Sequence, residues 1–254
     1  MILKASLHIH TKEDKKDGHM IKYDVFDLVD EAAKRGFRVL GFTPHQKYVF
    51  KEEYAEYAKK KGILLIPGVE RSLGRVSAKH VIILNCGPEA EKIKNFRQLE
   101  EYKKNHPEVF VLSPHPTFSR LISIGERNLR RYISLFDAIE HSWLYSIKIN
   151  KNQKAAYVAR EFKKPFIATA DVHRLKKLDT DYIILSANDF STEGVFEAIR
   201  NGCFENITFP KRQLDLVLYI AGHIVEYYSK ILVKKPLVAM VFFLAGWLLL
   251  KQWG

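Results

Sequence analysis

Short apolar runs, rich in β-branched and aliphatic residues, alternate along the chain with longer stretches in which apolar residues recur every third or fourth position. The first kind reads as strand and the second as amphipathic helix. Leu3–His10 predicts a strand, and Tyr23–Arg35, stopped by Gly36, predicts a helix. Val39–His45 and Lys51–Lys61, stopped by Gly62, repeat the pair. Ile63–Glu70 and His80–Asn85 predict two further strands, followed by a helix over Glu89–Lys104. The alternation continues through Val109–His115, Glu126–Tyr132, Ala138–Ser142, Ile149–Phe162, Pro165–His173, Tyr182–Ser186 and Thr192–Asn201, which Gly202 closes. Helices that end at glycine and re-enter an apolar run mark repeated βα units around a parallel sheet. About seven of the strands carry polar residues at their far ends. The expected fold is α/β, a compact, distorted (β/α)-type barrel over roughly residues 1–210.

After Pro210 the pattern changes. Leu214–Val233 is apolar on most faces, broken by Asp215, His223, Glu226 and Lys230, and the fifteen residues Pro236–Leu250 carry no charge. As a helix that uncharged run is roughly 22 Å long. Extended back to Ile231, with Lys234 and Lys235 snorkelling, it reaches roughly the 30 Å of a hydrocarbon core. Trp247 and Trp253 suit the opposite interface. Residues 211–254 are therefore expected to form an amphipathic segment and an apolar C-terminal membrane helix at about 236–250. The lysines before the span place the barrel at the cytoplasmic face of the cell membrane, on a single-pass anchor. The alternative is a terminal helix docked on the barrel.

Composition narrows the class. Two cysteines, Cys86 and Cys203, cannot make a disulfide framework for 254 residues and suit a reducing compartment. The formal charge is +12, which favours an anionic partner: a phosphorylated substrate, a membrane surface or nucleic acid. Residues 211–254, with six Lys/Arg against two acids, hold +4 of it. The lysine clusters sit at predicted helix ends, where cations oppose the dipole, so charge alone does not choose the partner.

The chemistry stands at the strand ends. His8 and His10 are two apart and share a face of their strand, two imidazoles at chelating distance. His45, Glu70, His80, His115, Asp171 and His173 end or begin other runs, and in a parallel barrel such ends meet on one face. Imidazoles with carboxylates suit zinc, manganese or iron. The motifs Leu-His8-Ile-His10-Thr, Gly-Phe-Thr-Pro-His45, Ile-Pro-Gly-Val-Glu70, His80, Ser-Pro-His115-Pro and Ala-Thr-Ala-Asp171-Val-His173 occur in that order. Over about residues 3–175 the chain resembles the PHP (polymerase and histidinol phosphatase) superfamily of metal-dependent phosphoesterases.

The resemblance implies a distorted (β/α)7, TIM-like barrel and two or three divalent metal ions. His8, His10, Glu70 and Asp171 would hold one ion, and Glu70 would bridge to a second held by His80 and His115. His45 and His173 would hold a third, completed by a residue of the loop after His10; His19 is favoured, with Asp14 and Asp17 as competitors. His10, Glu70 and Asp171 are the expected catalytic residues, and Arg75 and Arg174 the expected substrate-binding phosphate clamps. Pro44 stands where the family usually has an aspartate, so an acceptor that orients an imidazole is missing there. Glu140 is expected to support the ligands. The implied activity is hydrolysis of a phosphate ester, in a small organic phosphate or a nucleotide, by metal-activated hydroxide. Alternatives are 3′–5′ exonuclease or other nucleic-acid processing, amidohydrolase-type hydrolysis, and a non-catalytic membrane-tethered module.

Overall fold

Strand β1 (Ile2–Ile9) goes from an exposed Ile2 to wholly buried residues from Ala5 onward, and the rest of the sheet is arranged around it. It pairs in parallel with β2 (Phe37–Phe42), which pairs in parallel with β3 (Leu64–Leu73). The crossovers carry α1 (Val25–Lys34) and α2 (Glu52–Lys60). Asp24 and Asp27 form a capping box at the start of α1, and Gly36 follows its end at φ 74°, where a Cβ is disfavoured. The computed structural model describes residues 1–74, 79–119, 122–219 and 221.

Strand β4 (Lys79–Leu84) returns antiparallel to β3, with Ser72 opposite His80 and Glu70 opposite Ile82. Strand β5 (Phe110–Ser113) is antiparallel to β4, after which β6 (Ala138–Ser142) and β7 (Phe166–Thr169) resume parallel pairing. Between them lie α3 (Phe96–Asn105), α4 (Glu126–Arg131) and α5 (Asn152–Glu161). The helix expected over Glu89–Lys104 is shorter, because the Asn95 side chain caps a new start by accepting from the Gln98 amide.

The sheet has nine strands rather than about seven. After β7 come β8 (Asp181–Ser186), α6 (Thr192–Arg200) and β9 (Phe204–Thr208), in the order β7-β6-β5-β4-β3-β2-β1-β8-β9. β8 lies antiparallel along the first half of β1, and β9 antiparallel to β8. The expected all-parallel arrangement is therefore corrected to a mixed one, and the barrel is nearly closed. At the far end of β1 the seam shuts directly: Ile9 bridges Val172, with His10 N–H donating to Val172 O at 2.9 Å and Val172 N–H to His8 O at 3.0 Å. At the other end the Asn206 amide of β9 spans to β7, accepting from Ala168 N–H at 2.7 Å and donating to Phe166 O at 2.8 Å.

Leu3, Ala5 and Leu7 pack into one cluster with Ile82, Phe110, Leu112 and Phe196, whereas Ile9 joins Phe42 and Leu28 in another. Side-chain alternation on β1 thus breaks between Leu7 and Ile9, where its register with β2 shifts. The break lets apolar residues fill the barrel below while His8 and His10 both serve its mouth.

All of these strands belong to one unit, Met1–Tyr145 with Asn150–Pro210; Ser146–Ile149 and Lys211–Gly254 form a second. In the second unit residues 213–219 are helical, with Leu214, Val217 and Leu218 exposed. No helix among the described residues is long and apolar enough to cross a membrane. The expected span at about 236–250 lies outside the described residues.

Asn206 makes the one side-chain clasp between β9 and β7 described above, and replacing it removes two hydrogen bonds worth about 1 kcal/mol each. Asn206→Ala is expected to lower unfolding stability by about 1–2 kcal/mol, read from the denaturant midpoint at unchanged slope. An unaltered midpoint would show that the seam holds without the clasp.

Candidate metal centre

The strand ends converge on Glu70, a carboxylate from the middle of β3 that is 1% exposed. Its Oε2 lies 3.5 Å from His8 Nε2, 3.4 Å from His10 Nε2 and 3.0 Å from His45 Nε2. Its Oε1 lies 2.5 Å from His80 Nδ1 and 3.3 Å from His115 Nε2. Asp171 Oδ1 closes the group from beyond β7, at 3.2 Å from His8 Nε2 and 3.3 Å from both His10 Nε2 and His173 Nδ1. His80 begins β4 rather than ending it. The antiparallel return of that strand brings its first residues to the same face.

The backbone is bent to make this fit. His115 and Asp171 have φ values of 29° and 46°, and Gln46, directly after His45, has 64°. Such angles are unfavourable for residues with a Cβ and collect where function requires them.

His10 is sandwiched between His45 and His173, with ring centroids 4.3 Å away on each side and interplanar angles of 22° and 26°. Burial, and then the charges of His173 and His45, lower its pKa, which keeps it neutral as a ligand must be. Burial alone would raise the carboxyl of Glu70, but the imidazoles of His80, His45 and His8 more than reverse it and hold the group well below the usual range. Asp171 is lowered in the same way by His8 and His173.

Three overlapping groups have donor atoms close enough to share a cation: His8, His10 and Asp171; His45, Glu70 and His80; and His10, His45 and His173. His8 Nε2, His10 Nε2, His80 Nε2, His115 Nδ1 and Asp171 Oδ1 are buried without a hydrogen-bond partner. Leaving polar atoms unsatisfied costs about 1–3 kcal/mol each, and divalent cations would satisfy the inward-facing His8 Nε2 and His10 Nε2. The donor set therefore fits the implied metal.

The supporting groups are as definite. Glu140 on β6 is fully buried and its Oε2 accepts from His8 Nδ1 at 2.9 Å, turning Nε2 inward. Asp14 Oδ2 accepts at 2.8 Å from His10 Nδ1, from His45 Nδ1 and from the His45 backbone N–H. The acceptor that Pro44 lacks is thus present, contributed from the loop after His10. Arg71 is held away from the site by hydrogen bonds to Ile93 O and Gln46 O.

His19, favoured for the third ion, is exposed on a single 3-10 turn and joins none of the three donor groups. Asp17 is the loop acid that reaches the imidazoles, with Oδ2 at 3.7 Å from His45 Nδ1 and 3.6 Å from His173 Nε2. A tight loop explains the exchange: a Cβ on Gly18 would stand 2.3 Å from Lys12 O, so the chain turns there and carries His19 outward. Arg174 is exposed next to His173, and Arg75 lies outside the described residues. Lys16 was not singled out by the sequence. Burial pushes His80 down to about 4 against the attraction of Glu70, and Lys16 is close enough to add to that effect.

A model of the PHP-associated family matches residues 150–203. No curated protein matches the chain. Among solved structures, the chain is similar to a two-domain protein of Bacteroides vulgatus containing a predicted PHP-like metal-dependent phosphoesterase. The TM-score is 0.63 at 19% identity, covering 85% of this chain and 68% of that one. PsfC of Pseudomonas syringae gives a TM-score of 0.58 at 12% identity, over 88% and 97% of the two chains. The lesion-specific endonuclease PfuEndoQ of Pyrococcus furiosus gives 0.54 at 13% identity, over 81% and 58%. At these identities the likeness shows the fold.

Removing an outer acceptor from a ligating histidine costs about 10–100-fold in metal affinity. Glu140→Ala is expected to weaken metal binding by about that factor while the protein stays folded, measured by chelator competition. Equal affinity would leave Glu140 no part in the centre.

Proposed function

We propose that the chain is a metal-dependent phosphoesterase of the PHP superfamily, acting on a small organic phosphate or a nucleotide. The observation that carries this reading is the convergence of His8, His10, His45, His80, His115, Asp171 and His173 on or beside Glu70, with several donor atoms buried and unsatisfied. His8, His10, Glu70 and Asp171 would hold one ion, and Glu70, His80 and His115 a second. His45 and His173 would hold a third, with Asp17 in the role first given to His19. Zinc, manganese and iron all suit this mixture of imidazole and carboxylate. Bound divalent ions would supply Lewis acidity toward phosphoryl oxygens and a more acidic water.

The chain's own residues make that chemistry workable. Glu70 offers one oxygen to each side of the pocket, so a single anion serves two neighbouring positions. Glu140 and Asp14 fix which imidazole nitrogens carry protons, leaving the inward ones as lone pairs. Lys16 at the loop after His10, and the net charge of +12, draw an anionic substrate toward the mouth. Arg174, and Arg75 from outside the described residues, are proposed to contact the phosphate.

A nucleic-acid substrate is the second reading, favoured by the charge and by the fold shared with an endonuclease. With manganese added, the protein is expected to hydrolyse an aryl phosphate, and His10→Ala to abolish that activity. Degradation of DNA with no turnover of small phosphates would transfer the proposal to the second reading. Turnover of neither, across zinc, manganese and iron, would overturn both.

The location is proposed from sequence alone. The uncharged run 236–250 would anchor the barrel at the cytoplasmic face of the membrane. The full chain is then expected to stay with membranes through alkaline carbonate extraction, and a chain lacking 234–254 to be released. Release of both would overturn the anchor.

A further inference from the structure

Asp14 draws donors from three directions. Its Oδ2 accepts from His10 Nδ1, His45 Nδ1 and His45 N–H, each at 2.8 Å, and its Oδ1 accepts from the amides of Lys16 at 2.8 Å and Asp17 at 3.1 Å. The residue is 4% exposed. A carboxylate has about four lone-pair sites, and five donors fill them. Asp14 is therefore saturated by the protein and is poorly suited to bind a metal itself.

His10 and His45 come from different strand ends, after β1 and after β2, and their rings stack. A carboxylate can only accept, so each ring must place its proton on Nδ1 to reach it. In the neutral rings that a metal requires, that choice leaves both Nε2 atoms, which face Glu70 Oε2, as lone pairs. The His45 backbone donor to the same oxygen fixes where this ring starts from. Pro44, with no side-chain acceptor and no N–H, contributes nothing to this. Burial opposes ionisation of Asp14, and the hydrogen bonds from His10 and His45 overcome it, so the group stays anionic well below the usual carboxylate range.

We propose that Asp14 is a positioning residue of the metal centre: one carboxylate sets the tautomer and orientation of His10 and His45 together, and couples both to the fold of loop 11–18. The inference rests on the reading of the site as a metal centre and assigns Asp14 an outer role in place of the ligand role weighed for it from sequence. It also makes loop and ligands a single unit. The Lys16 and Asp17 amides are held by the oxygen beside the one that holds the imidazoles, so Asp17 and Lys16 are presented to the site by the same carboxylate.

The test uses the full-length protein and its Asp14→Asn and Asp14→Ala variants, stripped with a chelator and reloaded with zinc. Ions per chain are measured by elemental analysis, affinity by chelator competition, and the imidazole N–H protons by ¹⁵N-edited NMR. Asp14→Asn keeps the size of the side chain but has one acceptor oxygen for five donors. It is expected to bind zinc about 10–100-fold more weakly and to lose the two protected Nδ1–H signals of His10 and His45. Asp14→Ala should do the same, and if it does not fold the asparagine variant decides. A merely structural role would lower the unfolding midpoint of the metal-free protein and leave the Nδ1–H signals in place. Wild-type zinc binding with an unchanged Asp14→Asn variant would overturn this inference alone. A wild type that binds no zinc, manganese or iron would overturn the metal-centre reading and this inference with it.

Discussion

One buried anion organises the molecule. Glu70 sits inside the barrel with five imidazoles within 3.5 Å of its two oxygens. A carboxylate taken out of water is expensive unless charge or strong hydrogen bonds surround it. Here the compensation comes from residues delivered by β1, β2, β4 and β5 and the segments that follow them. Every one of those elements must therefore be in place together, and the irregular features serve that end. The broken alternation on β1, the left-handed backbone at His115 and Asp171, and the antiparallel β4 each aim a side chain at Glu70 or at the imidazoles around it that a regular parallel barrel would direct elsewhere.

Much of this was legible in the sequence. The periodicity located most helices and strands, because an apolar stripe at helical spacing and a short β-branched run are each set by local geometry. The residues gathered around Glu70 were legible because their types are costly to bury without a partner, and their order resembled a known pattern. The direction of β4 was not read from periodicity, since a strand's alternation is the same whichever way it runs. Strand β9 was missed for a related reason: Phe204–Thr208 is short, half polar and has no buried residue, so no periodic signal marks it. What makes it a strand is pairing with β8 and the Asn206 clasp to β7, which are tertiary facts.

The loop after His10 shows the other limit. Three of its residues could have served the metal on chemical grounds, and histidine looked the best donor. Local folding decided otherwise. Gly18 permits a turn too close for any side chain, His19 leaves outward, and the two aspartates stay inside with different tasks. Residue type carries the chemistry that is available, while hydrogen-bond saturation determines which group is free to use it. Asp14 has the right atoms for a ligand and no lone pair to spare. The loss at Pro44 was visible in the sequence, but its replacement thirty positions earlier in the chain was visible only in space.

The bridge between Ile9 and Val172 has a consequence for synthesis. His8 and His10 are made well before the backbone that locks them into place, because that backbone is contributed by Val172. Contacts so distant in sequence are slow to form because the loop between them must be ordered first. A nascent chain therefore exposes a pair of histidines long before it owns a site. The cluster around Glu70 is therefore complete only once Asp171 and His173 have been added, and the order of translation postpones it.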